Sequence, residues 1–174
     1  MRTLRTRTMG LILGLALLMT MVIVPSAASA GQDELAKIRR ATAQYHRIDE
    51  ALAAGYQLGY RGVVTSCISH PTAGAMGYHY FNWDLFDDPA IDPLKPEGLV
   101  YAPGPNGQLK LVAVEWVVPE SIWVAAGNTS PPSVLGMDMH ILNPVLGWYI
   151  QHAWVWKHNP SGMFEDWNPE VVCP

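Results

Sequence analysis

Residues of one helical stripe recur at three- and four-residue steps in only one stretch of the chain. Leu35, Ile38, Thr42, Tyr45, Ile48 and Leu52 fall on that stripe between Asp33 and Ala54, which predicts an amphipathic helix over residues 31–55. Asp33 and Glu34 suit the positive end of its dipole, and Gly55 is placed to stop it. Beyond Gly55 the apolar runs shorten, become rich in Val, Ile, Trp and Tyr, and are punctuated by proline, the pattern of β-strands joined by turns. Strands are expected at Arg61–Ile68, Met76–Trp83, Gly98–Ala102, Gln108–Val118 and Trp148–Lys157. Asn106-Gly107 lies between the third and fourth and predicts an antiparallel hairpin there. The expected fold is mainly β (α+β): one small antiparallel β-barrel or sandwich over residues 56–174, with the N-terminal helix packed on it as part of the same domain.

The first 30 residues follow a different pattern. Arg2, Arg5 and Arg7 precede an apolar run from Gly10 to Val24, and Ala28-Ser29-Ala30 follows, together the layout of a removable signal peptide. The run is shorter than the roughly 20 residues that span a bilayer. Export to the periplasm or beyond, with no membrane anchor after cleavage, is therefore expected. Cleavage changes the composition: the chain loses three arginines and no acid, so its formal net charge of −4 becomes −7. A nucleic-acid partner is excluded by that acidity and by the lack of clustered Lys and Arg. All seven tryptophans lie after residue 30, which suits a compact turn-rich domain rather than a disordered tail. In an oxidising compartment the two cysteines, Cys67 and Cys173, are expected to pair.

Three polar residues interrupt strands that otherwise read as buried. Alternation puts Glu115 on a face with Leu109, Leu111, Ala113 and Val117, His152 among Trp148, Ile150, Trp154 and Trp156, and His79 with Gly77 and Phe81. A buried carboxylate must be protonated, paired or metal-bound. Two histidines and one carboxylate from three strands form an open site for a single divalent transition metal, with Fe, Zn or Mn ahead of Cu. The same three groups also suit a metal-free polar network. Glu97, at the start of the hairpin strand, is expected near Glu115 as a fourth ligand or a neighbouring acid, or else as an exposed strand-start residue. Trp116, Trp154, Trp156 and Tyr80 are expected to line a pocket around the site. Met137-Asp138-Met139-His140 is a weaker copper candidate. His46, His70 and His158 read as surface residues.

No nucleophile elbow, Gly-rich phosphate loop or His-Glu-x-x-His is present, so the usual hydrolase motifs and a nucleotide cofactor lack support. The readings that remain are an exported metal-binding β-domain acting on a small organic molecule, a non-catalytic module for a sugar or flat ligand, and a structural envelope protein. The strings Gly77-Tyr78-His79-Tyr80, Val114-Glu115-Trp116 and His152 through Phe164, with Trp167-Asn168-Pro169 and Cys173, resemble a group of small exported bacterial proteins. That resemblance implies secretion and a single domain, and no chemistry.

Overall fold

The computed structural model describes residues 27–174, with side chains described from Gly31 onward. The leader segment thus lies almost entirely outside the described residues. No described helix is long and apolar enough to cross a membrane.

The N-terminal helical stripe is real but broken. Helix α1 (Ala27–Thr42) gives way to a 3₁₀ turn (Ala43–His46) and then to α2 (Ile48–Ala53), where a continuous helix was expected. The break falls where the Thr42 hydroxyl donates back to the Ile38 carbonyl at 2.8 Å, an interaction that competes with the backbone ladder and bends helices. Gly55, with φ of +91°, ends the segment as expected.

The strands that follow are β1 (Tyr56–Leu58), β2 (Ile68–His70) and β3 (Gly74–Asn82), then a single turn α3 (Trp83–Phe86). Next come β4 (Gly98–Pro103), β5 (Leu109–Pro119) and helix α4 (Glu120–Ala125). Three two-residue strands, β6 (Ser133–Val134), β7 (Met137–Asp138) and β8 (His140–Ile141), precede β9 (Trp148–Ala153). One antiparallel sheet runs in the order β1-β3-β4-β5-β9-β8, with β2 also on β3. It does not close on itself, so the barrel expected from the sequence is an open sheet here. The expected hairpin through Asn106-Gly107 forms between β4 and β5.

Two of the expected strands change. Most of Arg61–Ile68 is a loop, because Arg61, Gly62 and Val64 have φ of +48°, +87° and +58°, values no strand accommodates. The last strand stops at Ala153 rather than Lys157, where the main chain leaves the sheet and Trp156 and Lys157 both donate to the Val112 carbonyl at 3.1 Å.

The two sheet faces differ. On one, Leu35 and Ile38 of α1 pack with Leu99, Tyr101, Val114, Trp116 and Val118, burying the first part of the helical stripe, while Leu52 at its end is 52% exposed. The register of β4 against β5 shifts at Val100–Tyr101. This bulge reverses which residues share a face, so Leu111 joins the helix-side core instead of sharing Glu115's face as simple alternation predicts. The opposite face carries Phe81, Val117 and Ile150 and the three interrupting polar residues. There the C-terminal segment lies against the sheet, its end tied by the expected Cys67–Cys173 disulfide.

Candidate metal centre

Cross-strand register brings the polar residues together. Phe81, Gly98, Glu115 and His152 pair in one row across β3, β4, β5 and β9, and directly opposed residues share a face. His79 sits two residues before Phe81 on β3, hence on that face too. The strand between His79 and Glu115 contributes only Gly98 to the row. A Cβ there would lie 3.0 Å from the Phe81 ring, 3.1 Å from Glu115 Cβ and 3.2 Å from Glu115 Oε2. Gly98 is therefore the gap that gives the carboxylate its place. Gly77 serves the backbone: a Cβ there would come within 2.4 Å of the Tyr101 carbonyl oxygen.

His79, Glu115 and His152 are all buried and form a group able to hold a metal ion. His79 Nε2 lies 3.3 Å from His152 Nε2. Glu115 approaches His79 Nε2 at 3.6 Å through Oε2 and His152 Nε2 at 3.5 Å through Oε1. Among the described residues, Glu115 Oε2 and His79 Nδ1 are buried with no hydrogen-bond partner, which is costly for polar atoms.

Asp166, which sequence reasoning missed, stands behind the cluster. Its Oδ1 lies 3.2 Å from His152 Nδ1 and its Oδ2 3.0 Å from His140 Nε2. An ionised carboxylate only accepts, so both nitrogens carry hydrogens and a neutral His152 presents its Nε2 lone pair toward Glu115 and His79. The tail is held over the sheet to make this contact. Trp154 N donates to the Met163 carbonyl, Gln151 Nε2 to that of Phe164 and Trp154 Nε1 to that of Glu165, at 2.9, 3.1 and 2.6 Å. The signal available in the sequence was an acid inside an aromatic, Asn-Pro-bounded loop; its partner was not readable.

Burial dominates the electrostatics. Desolvation, with the neighbouring His152 charge, lowers the His79 pKa to about 3. It raises that of Glu115 to about 7 against the opposing pull of His152. Burial also disfavours charge on His152, but Glu115 and Asp166 outweigh it and the His152 pKa rises. Asp166 is the reverse case: burial opposes ionisation, yet its two histidine partners hold its pKa well below the usual carboxylate range.

Other expected site residues lie elsewhere. Glu97 is buried, but it is not one of the converging ligands; its Oε2 accepts from Val117 N at 2.9 Å. Alternation from Gly98, which faces Glu115, turns Glu97 toward the helix side. Trp116 and Tyr80 belong to that helix-side core, and Trp156 packs there with its Nε1 donating to Thr42. Trp154 packs with Met76 and Val171. None of these four lines the cavity of about 680 Å³ that opens beside His79 and Glu115; its tryptophans are Trp148 and Trp167. Met139 is core while His140 turns to Asp166, so the copper motif does not share one site. His46, His70 and His158 are all exposed as expected, the His46 ring also meeting the Trp156 ring edge-on at 4.2 Å.

Comparison with known proteins supplies no family for this arrangement: no family model, no curated protein and no solved structure matches the chain.

Proposed function

We propose that this is an exported metal-binding domain in which His79, Glu115 and His152 hold one divalent transition metal, with a coordination position left for a small molecule in the adjoining cavity. One observation carries the reading: three buried side chains converge, His79 Nε2 and His152 Nε2 lying 3.3 Å apart, with the Glu115 carboxylate 3.6 Å from the first through Oε2 and 3.5 Å from the second through Oε1. Two imidazoles and one carboxylate suit Zn, Fe or Mn ahead of Cu. The Asp166–His152 contact supports the same reading, since metal-binding histidines characteristically donate their other nitrogen to a carboxylate. A metal would also give Glu115 Oε2 its missing partner. Three protein ligands and a cavity at the fourth position are the arrangement of zinc sites that polarise a substrate or activate water. Export follows from the leader-like first 30 residues and is supported by the disulfide, which forms in oxidising compartments.

The test is elemental analysis of protein recovered after export, beside a His79→Ala/His152→Ala variant. About one transition-metal ion per chain is expected in the first and none in the second. Absence of metal from the parent protein, even after incubation with Zn(II), overturns the proposal.

A further inference from the structure

We propose that the cavity beside the cluster binds a neutral, predominantly apolar small molecule that presents one nitrogen or oxygen donor to the metal. The inference rests on the metal reading above and adds the chemical class of the ligand.

Size is the first constraint. At about 680 Å³ the cavity falls within the range of small-molecule sites, and it is several times the roughly 150 Å³ that accommodates benzene. The distribution of polarity is the second. Of the lining residues that are buried, Met76, Phe81 and Ile150 are apolar, and His79 and Glu115 are the polar ones. Trp148 and Trp167 widen the apolar wall, while Thr65, Ser66 and Asn143 on its lining are exposed. A ligand thus meets donor-hungry chemistry at the floor, hydrocarbon along its length and water at the rim.

Charge is the third constraint. Among the described residues the lining contains no Lys or Arg, and its one acid is Glu115. Asp166 stands behind His152 and is shared with His140. An anionic ligand would give up its hydration in a cavity whose walls offer no cationic side chain, whereas a neutral donor pays no such penalty.

The wall also carries backbone strain. Val64 lines the cavity with φ of +58°, a left-handed conformation rarely adopted by a β-branched residue. Reciprocal hydrogen bonds between Tyr60 and Val63, at 3.0 and 2.9 Å, tie the loop on one side, and Cys67 anchors it on the other. Strain of this kind persists where surrounding structure imposes it, and it clusters at ligand sites.

The experiment uses the exported full chain loaded with Co(II), titrated with 4-phenylimidazole, imidazole and benzoate. Binding is followed by the cobalt visible spectrum and tryptophan fluorescence. The cobalt spectrum before any addition tests the metal reading by itself: its absence overturns that reading and this one together. Given a bound-cobalt spectrum, 4-phenylimidazole is expected to bind about tenfold or more tighter than imidazole, because its ring is buried, and benzoate weaker than 4-phenylimidazole. Equal affinities for the two imidazoles, or tighter binding of benzoate, overturn the ligand class while leaving the metal site standing. Trp148→Ala and Val64→Gly each remove wall and are expected to shrink the phenyl advantage without changing the cobalt spectrum before addition. Val64→Gly relieves the backbone and so guards against a mere folding defect. An undiminished advantage in both variants places the probe elsewhere and overturns the proposal.

Discussion

His152 and Asp166 are joined through Nδ1 and Oδ1 at 3.2 Å, with the imidazole fully buried and the carboxylate side chain 13% exposed. The contact orients the ring and leaves Nε2 as the atom facing Glu115 and His79. Asp166→Ala is therefore expected to weaken metal binding by about 10–100-fold, measured by competition with a chromophoric chelator. Asp166→Asn keeps an acceptor for Nδ1 without the charge and should fall between the two. If all three proteins bind metal equally, Asp166 serves only to fasten the tail.

Gly98 is opposite Glu115 across β4 and β5, and an added methyl would meet both the Phe81 ring and the Glu115 carboxylate at 3.0–3.2 Å. Gly98→Ala is expected to destabilise the metal-free protein by about 1–3 kcal/mol through overpacking and to lower metal affinity by displacing the carboxylate. Denaturant unfolding and metal competition, run on the same sample, separate the two effects. Unchanged metal affinity would show that Glu115 has room to move aside without leaving the site.

Much of this centre was legible as period-two alternation. Glu115 and His152 occur in runs whose other members are apolar, so strands alone send them into an interior. The strand bulge and the Asp166 contact were not legible, each for a tertiary reason. The bulge at Val100–Tyr101 moves Leu111 to the helix side, and a one-residue shift is invisible to a pattern that assumes perfect pairing. Alternation puts Trp154 and Trp156 on the face of His152, but β9 ends at Ala153 and the rule lapses beyond it; Trp116 directly follows Glu115 and so points to the opposite face. Asp166 reaches His152 only because a 14-residue excursion returns over the sheet, a path fixed by contacts between side chains and backbone rather than by local propensity. The helix break falls at Thr42, whose hydroxyl bonds back to the Ile38 carbonyl and whose position on the stripe reads like that of any other buried residue.

The disulfide spans 106 residues and fastens the tail that carries Asp166 and Trp167. Removing a native disulfide from a small secreted domain costs about 2–5 kcal/mol. The Cys67→Ser/Cys173→Ser protein is expected to lose stability of that order. Its metal affinity should fall as well, because the strap positioning Asp166 loses an anchor near its end. Thermal unfolding under oxidising and reducing conditions checks the first point: a reductant should lower the midpoint of the parent protein and leave the variant unchanged. A parent protein indifferent to reductant would mean the bond contributes nothing to folding.

Glu97 provides a pH test at a buried acid outside the set of metal ligands. Burial raises its pKa to about 8, with Glu115 and Asp92 adding to the rise and the Val117 and Glu97 amides opposing it. The folded state therefore keeps a proton that the unfolded chain releases above its ordinary carboxylate pKa of 4.5. Stability from this group is complete below that pH and is lost as pH climbs toward about 8, at up to about 1.4 kcal/mol per unit. Glu97→Gln keeps an acceptor for Val117 N and cannot ionise. Relative to the parent, it should gain stability steadily from pH 5 to pH 8 and change little beyond. Glu115 and the histidines titrate in both proteins, so their contributions largely cancel in the difference. Urea unfolding of the metal-free pair at pH 5, 7 and 9 reads this directly; a difference constant across the three values would mean that Glu97 is already ionised in the folded protein at pH 5.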